Sequence, residues 1–392
     1  MKTNQQLSCL AVLLASYCAP AFSAIEVYKD ENTSIVTQGF IRVVYQKVDD
    51  FDQFTDSGSR LGFKIFHDIQ NDWTTGINVE WGTQFEVNGN FSIGGNSQPP
   101  ADGSDAALTS RLGNVFVKHD DWGQITLGKQ LAIYYLALYH TDWYNYWGGS
   151  ANGAFNLGTD GGFSGTGRAE QALSWVKSYG AFDFGIQIHI QDEPLNIDIG
   201  TCEETDLSQD LCRLFRQFDG EQLGRTGNGY GASLGYNLGD WLFTVAYNLN
   251  TIDIDPIFGN LGVEDGKDEI WGAGIKYGEF GSDGLYMALM YNESSLHEVD
   301  DSGLFYDARG SELMVKYNFT NNYGIYAGYN DLQARDSSTP YHLHHTLFGG
   351  EYRFDHISGQ IFFEGKFNDL VFNDNSKNGE FEFAVGITYN LY

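Results

Sequence analysis

Residues 380–390 read EFEFAVGITYN, and the side chains alternate in kind at every step. Phe381, Phe383, Val385, Ile387 and Tyr389 fall on one face, and Glu382, Ala384, Gly386, Thr388 and Asn390 on the other. Successive side chains of an extended strand point to opposite faces, so the pattern predicts a strand with one apolar and one polar face. The pattern recurs upstream. Leu285, Met287, Leu289 and Tyr291 alternate with Tyr286, Ala288, Met290 and Asn292. Leu313, Val315, Tyr317 and Phe319 alternate with Glu312, Met314, Lys316 and Asn318. Trp241, Phe243, Val245, Tyr247 and Leu249 alternate with Leu242, Thr244, Ala246, Asn248 and Asn250.

Two kinds of connection separate these runs. Tight polar turns stand at Asn71-Asp72, Asp121-Trp122-Gly123, Tyr179-Gly180, Gly239-Asp240, Asn321-Asn322 and Asp355 to Gly359. Long acidic connections occupy 88–107, 132–166, 192–226 and 253–267. Strands of about ten residues joined by short turns at one rim and long loops at the other predict a transmembrane barrel of about sixteen antiparallel strands. The expected starts are 33, 59, 73, 108, 124, 168, 182, 228, 241, 268, 285, 306, 323, 341, 360 and 379. A soluble sandwich or propeller fits less well. The runs are long, Tyr, Phe and Trp gather at their ends as interface belts do, and the polar faces carry charges and asparagines throughout.

Composition agrees with this reading. The 392 residues hold 22 Lys+Arg against 52 Asp+Glu, a net charge of −30. Nucleic acid, which demands a basic face, is excluded as a partner; an acidic surface or pore attracts cations instead. There are 48 Gly, only 6 Pro and 15% aromatic residues, which suits strands and argues against disorder. Beyond the N-terminus no run of apolar residues is long enough for a membrane helix. The mean hydropathy of −0.32 suits a barrel, in which only alternate residues meet lipid.

Lys2, the apolar segment Leu7–Ala15 and the small-x-small site Ala21-Phe22-Ser23 predict a secretory leader over residues 1–23. The remaining chain, 24–392, reads as one domain. Of its two cysteines, Cys202 and Cys212 lie in a polar segment of an exported chain, which points to a disulfide rather than two free thiols.

In several places the chain resembles the general diffusion porins of Gram-negative outer membranes. The opening AIEVYKDENTS after the leader is one. SRLGFKIFHDI from Ser59 and SRLGNVFVKHDDWGQITLGKQ from Ser110 are others. TDWYNYWGG at 141–149 resembles the tip of the family's third loop, and GRAEQALSWVKSYGAFDFG from Gly167 the strand after it. The resemblance implies a homotrimer of sixteen-stranded barrels, each with its third loop folded into the lumen. It implies passage of small hydrophilic solutes, contact with lipopolysaccharide and other outer-membrane lipids, and insertion by the barrel assembly machinery. It implies no cofactor and no catalytic residue.

Carried onto this sequence, the resemblance makes Arg60, Arg111 and Arg168 wall arginines of the pore constriction. Alternation alone puts Arg60 and Lys64 opposite Leu61, Phe63 and Ile65, and Arg168 opposite Leu173 and Trp175, hence inward. At Arg111 the alternation is broken. Where the family often has a lumenal Lys on the first strand this chain has Phe40, and Arg42, on the same face, takes its place. On the loop, Asp142 matches a constriction carboxylate, but the second carboxylate is replaced by Tyr146. Trp143, Tyr144, Tyr146 and Trp147 either pin the loop to the inner wall, the preferred reading, or offer rings on which solutes stack. Cation preference is expected from the acid excess.

No metal ligand is assigned. DIDPIFGNLGVE at 253–264 has Phe258 where an EF-hand needs Gly. His342 and His344 share a strand face, but a position at the rim or in the lumen without metal is preferred. The alternatives are a sugar-specific porin, which eighteen strands would favour, a barrel enzyme, for which no Gly-x-Ser-x-Gly nucleophile motif is present, and a plugged structural barrel. Tyr392 supplies the terminal aromatic usual in such barrels, one residue out of phase.

Overall fold

The structure, a computed structural model, describes residues 25–48, 51–83, 108–156, 160–196, 222–255, 266–299, 305–335, 341–354, 358–372 and 375–391. The leader, Cys202, Cys212, Tyr392 and most of the acidic connections at 84–107, 197–221 and 256–265 lie outside the described residues.

Nineteen strands form one sheet, and sixteen of them close into an antiparallel barrel. In chain order these are β1 (Thr33–Val48), β2 (Arg60–Asp68), β3 (Trp73–Thr83), β4 (Leu108–His119), β5 (Gly123–Leu131), β6 (Arg168–Tyr179), β7 (Phe182–His189) and β8 (Gln222–Leu238). They continue with β9 (Trp241–Ile254), β10 (Gly266–Tyr277), β11 (Gly284–Val299), β12 (Phe305–Asn318), β13 (Tyr323–Ala334), β14 (Tyr341–Arg353), β15 (Gly359–Phe372) and β16 (Asn375–Asn390). Short strands at Glu26–Lys29 and Phe51–Asp56 pair with β1, and Glu193–Asn196 pairs with β8. The ring closes where β16 pairs with β1, from Phe383↔Lys47 to Asn390↔Phe40. Closure gives each of the sixteen barrel strands a partner on both sides, as hydrocarbon demands. Among the described residues no helix is long and apolar enough to cross a membrane.

Burial is inverted relative to a soluble protein. On β11 Leu289 is 49% exposed, and on β16 Val385 is 46% exposed. The inward residues Glu312 and Glu364 are 1% and 0% exposed. The apolar faces read from the sequence are therefore the outer faces, and the core of the molecule is its polar lumen. Aromatic pairs gather at the short-turn rim: Trp241–Tyr277 at 4.9 Å, Tyr317–Phe319 at 4.8 Å and Tyr323–Tyr352 at 4.9 Å. Such rings belong at a membrane–water interface.

Among the described residues the tight turns form where the sequence places them, while the turn at Asp355 to Gly359 lies largely outside the described residues. Asn71 and Asp72 both take positive φ, 62° and 63°, as a two-residue hairpin requires. The observed strand starts follow the expected ones within a few residues. The largest differences are at β8, which starts at 222 rather than 228, and β16, which starts at 375 rather than 379. The added residues, 222–227 and 375–378, lack the clean alternation from which the expected starts follow.

Replacing Leu289, in the middle of its strand's apolar face and paired with Leu313 and Ile275, by Arg should destabilise the barrel by about 2–4 kcal/mol. Leu289→Val should cost far less. Reversible denaturant unfolding in lipid vesicles measures both.

Candidate functional site

The connection between β5 and β6 does not leave the barrel. Its ends meet where the Ala132 amide donates to Gly167 O at 2.8 Å. Between them the chain folds into the lumen. It opens with one short helix, α1 (Ile133–Leu138), of sequence IYYLAL, which buries Ile133, Tyr134, Ala137 and Leu138. Ala132 offers no capping side chain. Instead the wall caps the helix: Gln187 Oε1 accepts from the Ile133 amide at 3.1 Å. At its other end Thr244 donates to Ala137 O at 2.7 Å. A helix this short is marginal alone and is held by its surroundings.

Two wall carboxylates then fix the loop. Glu312 on β12 accepts from the Thr141 hydroxyl at 2.6 Å and from the Ala151 amide at 2.8 Å, so it staples the outgoing and returning arms together. Glu364 on β15 accepts the amides of Asn145 at 2.8 Å, Tyr146 at 3.2 Å and Trp147 at 2.6 Å, and the Tyr326 hydroxyl at 2.8 Å. Three consecutive backbone amides on one carboxylate make a charge-assisted anchor. Further contacts follow the wall: Tyr286 donates to His140 O at 2.7 Å and Asn292 to Ala151 O at 2.7 Å. Asn248 donates to Ser164 O at 2.6 Å. The loop thus runs along β7–β15, and its tip reaches β1, where Arg42 donates to Asn145 O and Tyr146 to Gln46.

The four rings of the tip pack on the wall. Trp143 stacks on Phe280 at 4.6 Å. Tyr144 donates to Leu313 O at 2.8 Å. Tyr146 and Trp147 meet edge to face at 4.7 Å and pack against Val44, Phe362 and Ala384. Lys366 Nζ stands 5.0 Å over the Trp147 ring. After them Gly148 and Gly149 take φ of 140° and 68°, and a Cβ on Gly149 would meet Asp142 Oδ1 at 2.7 Å. Only glycine permits this reversal against the Asp142 carboxyl.

The arginines stand on β1, β2, β4 and β6. Arg42 and Arg60 flank the Phe40 ring at 4.6 Å and 4.5 Å. Phe40 thus meets two guanidinium groups. Arg111 Nε donates to Glu80 at 2.9 Å, and Arg60 lies 4.0 Å from the same oxygen. Arg168 lies 3.3 Å, and Lys129 3.1 Å, from Asp160 of the loop. Lys64 is in register with Val36 and Asn78, on the same face of β2 as Arg60. The broken alternation at Arg111 is a bulge: Glu80 pairs with Leu112 and Trp81 with Ser110, so Arg111 is the extra residue. An extra residue lets two neighbours share one face.

Asp142 is half-buried, with Tyr135 Oη at 3.5 Å. Burial first, and the Glu312 carboxyl next, push its carboxyl up to about 8, against the pull of Arg60 and Arg168. At neutral pH it is therefore mostly neutral. Sequence reasoning missed Glu80, Lys129, Asp160, Glu312 and Glu364. The inward phase of Glu312 and Glu364 was readable, but not the loop amides they meet. His342 and His344 lie on the outer face near the long-loop rim, and His345 points inward.

A closed sixteen-stranded barrel with a dry exterior, a charged lumen and a loop folded inside is an outer-membrane channel barrel. The sequence pattern of Gram-negative porins matches residues 9–256, more than half of the chain. The chain belongs to the Gram-negative porin family and spans the outer membrane many times. It is 25% identical to outer membrane porin PhoE of Klebsiella oxytoca over 321 residues, 80% of this chain and 78% of that one. Its fold is similar to Salmonella typhi OmpF solved with daunomycin, with TM-score 0.68 and 18% identity over 93% of this chain and 100% of that one. The anion-selective porin from Comamonas acidovorans has TM-score 0.60 and 15% identity over 91% and 99% of the two chains.

Glu364→Gln replaces one acceptor oxygen with a donor facing the loop amides. Hydrogen exchange at Asn145, Tyr146 and Trp147 should accelerate roughly 10- to 100-fold, the loss expected for charged hydrogen bonds of about 1.5–3 kcal/mol.

Proposed function

We propose that the protein is a passive channel for small hydrophilic solutes and ions, with a weak cation preference. The observation that carries this reading is the loop fixed inside the lumen beside a wall bearing Arg42, Arg60, Arg111 and Arg168. Arginines on one side and the loop carboxylate Asp160 on the other set up a transverse field, which Asp142 joins as its carboxyl ionises near pH 8. A polar solute aligns its dipole in such a field and a lipid-like solute cannot enter. In this reading Trp143, Tyr146 and Trp147 shape the constriction, together with Lys64 on the wall. The net charge of −30 concentrates cations at the mouth, and the wall arginines oppose this at the waist. No reaction is assigned.

The sugar-specific alternative ranks second. Its rings would have to meet solute, whereas the rings here serve the wall, as in the stack of Trp143 on Phe280. The family also suggests a homotrimer in contact with lipopolysaccharide, inserted by the barrel assembly machinery. The leader at 1–23 and the Cys202–Cys212 disulfide complete the proposal.

Reconstitution into a planar bilayer under a salt gradient tests the function. Stepwise conductance with a zero-current potential on the cation side is expected, in groups of three for a trimer. Absence of steps refutes the channel, and an anion-side potential refutes the cation preference. Because the Asp142 pKa is raised, the group gains negative charge as pH climbs through about 8. Cation preference should therefore grow between about pH 6 and about pH 9, and Asp142→Asn should flatten that rise. Arg60→Gln should increase cation preference at every pH.

A further inference from the structure

Three neighbouring strands place four ionisable groups on one patch of the outer face, away from the lumen. Asp331 of β13 is in register with His344 of β14, and His344 is in register with Asp369 of β15. His342 is the next outward residue of β14, its ring centroid 4.9 Å from that of His344. The row directly below toward the membrane centre is Tyr329, Thr346 and Phe367, also in register. The cluster thus lies just above the girdle, on the side of the long connections. Nothing in conduction calls for it there.

We propose that Asp331, His342 and His344 bind a divalent transition-metal ion of the zinc type. One donor atom from each residue lies within 4.8 Å of the others. Tetrahedral zinc, with bonds of about 2.0–2.1 Å, sets its ligand atoms roughly 3.3 Å apart, so side-chain rotation alone closes the site. A His-x-His pair on a strand puts both imidazoles on one face, and the cross-strand carboxylate supplies the third donor. His342 Nε2 already lies 3.0 Å from Asp331 Oδ2.

A second observation points the same way. Asp369 Oδ2 lies 3.1 Å from His344 Nε2, while Nδ1 of the same ring is buried with no hydrogen-bond partner among the described residues. A carboxylate behind one ring nitrogen fixes the tautomer and leaves the other as a lone pair for a metal. Asp369 is itself held by the Gly379 amide at 2.6 Å, and Asp331 by the Tyr329 hydroxyl at 3.1 Å. Two imidazoles select zinc-type ions over calcium and magnesium, which prefer all-oxygen sites. The fourth position is left to water.

The test uses the untagged, folded barrel in detergent, with excess Ca2+ occupying the many surface carboxylates, and Zn2+ as the probe. One Zn2+ per chain should remain bound. His342→Gln with His344→Gln should weaken it at least roughly 100-fold, and Asp369→Asn roughly 10- to 100-fold. Conductance should be unchanged in both, since these side chains face away from the lumen. Zn2+ affinity unaffected by the histidine variants, or displacement by Ca2+, overturns the site. If the double variant does not fold, Cu2+ bound to the wild type decides by electron paramagnetic resonance: coupling to two imidazole nitrogens supports the site, and coupling to none overturns it.

Discussion

The pairing of β16 with β1 is the constraint on which the rest depends. In hydrocarbon an unpaired N–H or C=O costs several kcal/mol, so the sheet must meet itself. Closure fixes the number of strands, and with it the size of the lumen. It also joins distant parts of the chain: Thr388 lies opposite Arg42 and accepts from its Nε at 3.0 Å. The arginine that holds the loop tip is thus itself held across the seam. A lumen of this size would be a wide hole, and the connection after β5 narrows it.

How that connection is held explains why its residues look ill-suited to a loop. Its aromatic side chains meet ring and aliphatic surface on the inner wall, and its amides meet carboxylates. The opposite wall also keeps its charges in short pairs, Arg111 with Glu80 of the wall and Arg168 with Asp160 of the loop. Lys316–Glu351 at 2.7 Å and Lys366–Glu382 at 2.8 Å do the same on the wall near the loop tip. Pairing of this kind lets buried charges be packed densely in the lumen. The fold alone does not set the sign of selectivity: a barrel of similar fold is described as anion-selective.

Much of the wall was legible because its physics is local. Lipid on one face and water on the other impose a period of two, and residues 380–390 carry it without a break. The strand starts and hairpin turns followed from that. The site was legible only in part. Arg60 could be oriented from its neighbours, but Arg111 could not, since a bulge shifts the phase and is defined by the partner strand. Glu312 stood in the sequence only as one polar residue of an alternating strand, and Glu364 went unread, because their loop partners lie far away in sequence. His342 and His344 were visible as a pair, while Asp331 and Asp369 joined them only through strand register.

The anchor at Glu364 has an evolutionary consequence. What the carboxylate grips at 145–147 is main chain, and main-chain amides are the same whatever side chains they carry. This part of the seat therefore survives a change of side chain at 145–147, whereas the ring contacts of the tip do not. At 146 the side chain is a tyrosine, and the contact with Glu364 is made by its amide and not by its ring. The grip of Glu364 depends on its own carboxylate and not on which side chains follow at 145–147. Under the channel reading proposed above, changes at the tip would alter what is admitted while the Glu364 anchor stands still.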